Sequence, residues 1–200
     1  MRRAEDINKS KANSAKLQPT MPKSVKVSMT AILAATALSL SYARFWAPNI
    51  EFTSLIIFLS GFTLGSRIGV LVGLVTESIF SSLNPLGAAP IPIFLAQVGC
   101  MMLIGATGGL FAKLTGKSDV KLNSSLKMAA MGLYLTIIFD LVTNLGFAIS
   151  FTGGNYPLAL IWGSAFMIVH VVSNTIVFGT IGPVLSHYLV KIVQKEGVYR

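Results

Sequence analysis

The residues of this chain that could do chemistry are few: Glu77, Gln97, Asp140, Asn144, His170 and Asn174, each set within a long apolar run. A charged side chain in such surroundings costs about 2.5–3.5 kcal/mol at bilayer mid-depth, so these groups pair with one another or face a wet cavity. His170 and Asn174 stand at i and i+4, on one face of a helix. Carboxylates, amides and an imidazole spaced in this way suit recognition of a small polar molecule or coupling to an ion. They do not suit catalysis, because no Gly-flanked serine nucleophile and no H-E-x-x-H sequence accompanies them. The Gly-rich run Gly105-Ala-Thr-Gly-Gly109 is followed by no Lys-Ser/Thr and preceded by no strand, so it reads as a small-residue packing face rather than a phosphate loop. One cysteine, Cys100, and two distant histidines offer no zinc spacing and no intramolecular disulfide. The expectation is therefore no enzyme, no metal and no cofactor.

The elements that must hold these residues are written in the composition. Of 200 residues 53% are hydrophobic and 12% charged, half the charged share of a soluble domain, and mean hydropathy is +0.71. This is the composition of an all-α integral membrane protein with one membrane domain. Net charge is +9, but the basic residues sit in tails and loops, which favours membrane topology over nucleic-acid binding. Residues 1–24 read as a disordered basic cytoplasmic tail, 25–193 as the membrane domain and 194–200 as a second cytoplasmic tail. Ser41-Tyr42-Ala43 resembles a small-x-small cleavage site, yet the basic region is long and the apolar run exceeds a signal core.

Six apolar segments are expected, over about 25–46, 52–64, 68–83, 91–114, 126–151 and 158–193. The second and third are short for full spans, and either turn tightly near Gly65-Ser66-Arg67 or are partly re-entrant. Gly61 and Gly65 precede that turn and Gly69 and Gly73 follow it, a four-residue spacing that makes a bare strip where another backbone can approach. The expected contact is between the second and third segments.

Lys and Arg counts orient the chain. With six transmembrane helices and both termini cytoplasmic, 15 of the 16 basic residues lie inside and Arg44 alone lies outside. In that frame Gln97 falls less than two turns below the outer surface, Asp140 and Asn144 approach it, and Trp46, Asn49, Glu51 and Asn84 belong to outer loops. The expected substrate-binding residues are Trp46, Asn49, Glu51, Asn84, Gln97, Asp140, Asn144, His170 and Asn174, with Phe147, Tyr156 and Trp162 as aromatic cover. In the first segment Ala31 and Ala35 form a small-xxx-small pair, suited to a partner helix or to internal packing.

The ordered set of features resembles a known family. Six short hydrophobic segments in about 200 residues, the basic tail and Ala31-Ile-Leu-Ala-Ala35 come first. Pro48-Asn49-Ile50-Glu51, Gly61-Phe-Thr-Leu-Gly65, Ser82-Leu-Asn-Pro-Leu-Gly87 and Asp140-Leu-Val-Thr-Asn144 follow. Together, over about 25–193, they are similar to the substrate-binding S component of energy-coupling factor (ECF) vitamin transporters. The resemblance implies capture of a vitamin or vitamin precursor from outside at the cell membrane. It implies docking through Ala31 and Ala35 onto an ECF coupling subunit that carries two ATPase subunits, and toppling in the membrane to release substrate. Metal-specific members are expected to carry a histidine near the N-terminus, and this chain has only His170 and His187. The rival expectation is an autonomous ion-coupled secondary transporter, with Glu77 and Asp140 as coupling groups.

Overall fold

The computed structural model describes residues 21–43, 51–115 and 122–198. Trp46 and Asn49, the first 20 residues and residues 116–121 of the 113–127 loop lie outside the described residues. All regular structure described is helical. The helices are α1 (Lys23–Ala43), α2 (Thr53–Leu64), α3 (Ser66–Ser82), α4 (Ile91–Thr115), α5 (Leu122–Phe151) and α6 (Tyr156–Val198).

Four of them, α1, α4, α5 and α6, are long and apolar enough to cross a membrane. The other two are not. With 12 residues α2 is only about 18 Å long, against a hydrocarbon thickness of about 30 Å. α3 has 17 residues and carries Arg67 and Glu77. The expected tight turn is formed by Gly65 alone, whose φ of 100° is open to glycine at little cost. The chain reverses there and α2 and α3 lie against each other as a hairpin.

α2 is the centre of the molecule. Its sequence is apolar on every side, and every residue from Thr53 to Thr63 is buried, as expected of a helix with no polar face. Its hydroxyls do not contradict this. Ser60 donates to the Ile57 carbonyl at 2.7 Å and Thr63 to the Leu59 carbonyl at 2.7 Å, so their polarity is spent within the helix. Leu55, Ile57, Phe58 and Leu59 form one core with Leu33 and Ala37 of α1, Val72 of α3, Met101 and Ile104 of α4, Leu135 of α5 and Phe178 of α6. The Phe58 ring meets Phe111 and Phe178 at centroid distances of 5.6 and 5.4 Å.

The glycine strip is real, but its main partner is not the one expected. A Cβ added at Gly61 or Gly69 would overlap the Gly105 carbonyl, and one at Gly73 would overlap the Met101 carbonyl. Gly108 and Gly109 are equally closed, by the Phe58 carbonyl and by Ser66. The strip thus seats the hairpin on α4, with Gly61 and Gly69 touching each other beneath it. Sequence spacing identified bare surfaces on both partners but did not pair them, because a small-residue face specifies close approach and not which helix approaches.

α5 and α6 are joined by a short turn that sets their register. Gly153 and Gly154 have positive φ, 60° and 86°, and the Gly154 N–H returns to the Ala148 carbonyl at 2.9 Å, closing the α5 C-terminus. Asn155 then caps α6 by accepting from the Leu158 N–H at 3.1 Å. The antiparallel pair that results pairs α5 positions with α6 positions one helical turn at a time.

Candidate solute-binding site

Three rungs of the α5–α6 pair are legible in side-chain contacts. Gly132 faces Phe178, so closely that a Cβ there would lie 2.7 Å from the ring. Thr136 Oγ1 lies 3.1 Å from Asn174 Nδ2. One turn further, Asp140 Oδ1 lies 2.8 Å from His170 Nδ1. The last two rungs bring four buried polar side chains together at the α2 N-terminus.

There Asn174 Nδ2 lies 3.3 Å from Ser54 Oγ and 3.1 Å from His170 Nε2, and His170 Nε2 lies 3.3 Å from Glu51 Oε1. Glu51 stands just before α2, where the helix's unpaired N–H groups favour an anion. Phe139 packs edge-on against the imidazole at 5.7 Å. Glu51, Asp140, His170, Asn174, Ser54 and Thr136 are all buried. The two hydrogens of the Asn174 amide cannot serve three neighbours at once, and Asn174 Oδ1 and Asp140 Oδ2 are buried without a hydrogen-bond partner. Buried polar atoms left in this state are uncommon and call for an explanation.

His170 thus stands between two carboxyl groups, 2.8 Å from Asp140 Oδ1 and 3.3 Å from Glu51 Oε1.

A cavity of about 360 Å³ opens beside this cluster, between α5 and α6 near their turn. It is lined by Asp140, Thr143 and Asn144 of α5, by Trp162, Gly163, Phe166 and Met167 of α6, and by Ile93 of α4. Asn144 donates from Nδ2 to the Asp140 carbonyl at 2.7 Å, which holds its amide against the wall. A Cβ at Gly163 would overlap that amide, so glycine is what leaves room for it. Phe147 and Trp162 meet at 6.4 Å with rings 71° apart. The volume lies at the lower end of small-ligand sites, which are mostly apolar with a few convergent polar groups.

The expected site residues therefore divide. Glu51, Asp140, His170 and Asn174 form one cluster, and Asn144 and Trp162 line the adjoining cavity. Gln97 and Asn84 stand elsewhere. Gln97 Oε1 and Glu77 Oε1 each lie 2.9 Å from Ser81 Oγ, a second polar set between α3 and α4. Asn84 accepts from the Leu86 N–H at 2.9 Å and stabilises its own turn. Tyr156 donates to the Leu141 carbonyl at 3.1 Å, tying the α6 start to α5 rather than covering the cavity. Sequence reasoning missed Ser54 and Thr136. Hydroxyls in apolar helices are common and usually bond their own backbone, so only the register of three helices marks these two.

Ala31 and Ala35 are exposed, so the small-residue pair of α1 is not an internal packing face. Ala31 lines an apolar groove of about 480 Å³ between α1 and α3, with Ile68, Leu71, Val72 and Val75 across from it and Lys23 and Lys26 at one end. Among the described residues no group of three His, Cys, Asp or Glu could hold a metal ion. No protein-family model matches the chain, and neither a curated protein nor a solved structure matches it.

Proposed function

We propose that this chain is the solute-binding membrane subunit of an ECF-type importer, with six membrane segments and both termini in the cytoplasm. On this reading it sits in the cell membrane and captures a vitamin or vitamin precursor at its outer face. It passes that solute on with a coupling subunit and two ATPases, and catalyses nothing itself. The observation that carries the reading is the buried Glu51–His170–Asp140–Asn174 cluster beside a cavity walled by aromatic rings. Buried polar groups left partly unpaired next to a cavity of ligand size are what a solute site requires. The lopsided Lys/Arg distribution supports the orientation, and on that orientation the cavity, near the α5–α6 turn, lies in the outer half. The exposed Ala31–Ala35 face in the middle of α1 supports docking to a partner helix, and the ordered sequence features support the family.

A second reading has one observation of its own. Glu77 is buried and touches Ser81 within an otherwise apolar helix, an arrangement also expected of an ion-coupling carboxyl in an autonomous transporter.

The test is affinity purification from native membranes in mild detergent, with wild type and Ala31→Leu/Ala35→Leu compared and co-purifying chains identified by mass spectrometry. The expected outcome is a coupling subunit with ATPases bound to wild type and lost in the double variant, whose fold is intact because both positions are exposed. Recovery of the chain alone in both cases, together with proton-driven uptake into liposomes that Glu77→Gln abolishes, would replace the importer subunit with the autonomous transporter.

A further inference from the structure

We propose that the α5–α6 cavity selects a small organic cation with an aromatic or apolar body, its positive group seated against Asp140. The proposal rests on the cavity being the solute site and names the charge class that site accepts. Three observations converge on it. Asp140 lines the cavity, its side chain is only 10% exposed, and its Oδ2 has no hydrogen-bond partner. Two carboxyl groups, Asp140 and Glu51, flank the single imidazole at 2.8 and 3.3 Å, so acidic side chains outnumber basic ones in the cluster at the cavity wall. The rest of the wall is the chemistry that accepts a desolvated cation, with Phe147 and Trp162 at a steep angle to one another and Phe166 beside them, since aromatic faces attract ammonium groups within about 6 Å.

An inorganic ion fits less well. No three-residue metal group exists among the described residues, and the aromatic wall offers a metal no ligand. An anion would meet the unpaired Asp140 oxygen and would find no Lys or Arg among the residues that line the cavity. A neutral solute could fill the volume but would bring no positive charge to the Asp140 carboxyl group. Asn144, with its amide nitrogen held by the Asp140 carbonyl, presents an acceptor oxygen, which suits an N–H on the solute's body.

The experiment uses the full chain in detergent and equilibrium dialysis against benzyltrimethylammonium, benzyl alcohol and phenylacetate, with detergent-only cells as blanks. Benzyltrimethylammonium is expected to bind at least about tenfold more tightly than the other two. Asp140→Asn, which keeps an acceptor for the His170 N–H, is expected to weaken the cation about ten- to hundredfold and to leave benzyl alcohol unchanged. Trp162→Leu, at an exposed position, is expected to weaken the cation several-fold. Equal binding of the three probes, a preference for phenylacetate, or a cation preference that survives Asp140→Asn would overturn the proposal while leaving a solute site in place. Absence of binding by all three would overturn it as well. The importer reading would then stand or fall separately on recovery of the coupling subunit. The ranking of probes by the wild type decides the matter even where Asp140→Asn does not fold.

Discussion

Replacing Gly69 by alanine adds one methyl group, and its cost can be worked from the surroundings. The new Cβ would lie 2.6 Å from the Gly105 carbonyl carbon and 2.7 Å from the Gly61 Cα, with the Gly105 oxygen nearer still. Favourable carbon–carbon contact is about 3.5–4.0 Å, so α3 must move away from both α2 and α4 by roughly 1 Å. All the obstructing atoms are backbone, so no side chain can rotate aside. Overpacking costs about 1–3 kcal/mol, and a backbone obstruction on two sides places this variant at about 3 kcal/mol. For a chain of about 200 residues each kcal/mol moves the melting midpoint by roughly 2–4 °C, which gives a fall of about 6–12 °C. Gly99→Ala on α4 is the control. Nothing lies within 4 Å of its added Cβ, and a helix-interior glycine replaced by alanine gains about 0.5–1 kcal/mol. The assay is thermal unfolding in detergent followed with a thiol-reactive fluorophore, because the chain's single cysteine, Cys100, is 5% exposed in α4 and reacts when the packing around α4 opens. The reasoning is refuted if Gly69→Ala melts at or above the wild-type midpoint, or if the two alanines shift it in the same direction.

Two further outcomes follow from the same geometry. Asn174→Ala removes the amide that meets Ser54, Thr136 and His170 and leaves those groups without it, so a loss of about 2–3 kcal/mol in the same melting assay is expected. A shift indistinguishable from zero would mean that these side chains do not meet. Gly65→Ala forces a side chain into the φ of 100° at the hairpin tip, with nothing within 4 Å of the added Cβ. The cost is therefore purely conformational, about 1–3 kcal/mol, and a midpoint unchanged by this alanine would remove the strained turn from the account.

Much of the site was legible as residues but not as an arrangement. His170 and Asn174 share a face at i and i+4 whatever the fold does, so their partnership was readable at once. That Asp140 stands opposite His170 depends on the Gly153–Gly154–Asn155 turn, which sets the α5–α6 register. That Glu51 joins them depends on where the α2 N-terminus enters the bundle. Gln97 was placed with the others by its depth, and depth alone cannot separate residues on opposite faces of α4. In the structure it turns to Ser81 and Glu77 instead. Asn84 was polar and in the right loop, but a side chain that accepts from the N–H two residues on is committed locally, and that commitment is visible only in the folded turn.

The sequence by itself determined the apolar helical class, the existence of six segments with α2 and α3 too short to match the rest, and the bare glycine surfaces on α3 and α4. These follow from composition and from periodicities of a few residues, which act within one helix. It also determined that a buried carboxyl, imidazole and amide had to find partners, since the cost of leaving them alone in an apolar medium is a property of each group. Which partners they found was decided by tertiary structure. The hairpin sits on α4 and not merely on itself, Ala31 and Ala35 face outward, and Glu51, Asp140 and His170 meet at the start of α2. Each of these depends on the mutual placement of helices distant in sequence. Helix surfaces that are uniformly apolar or uniformly small accept several such placements, and only the simultaneous packing of the other five elements around α2 selects one.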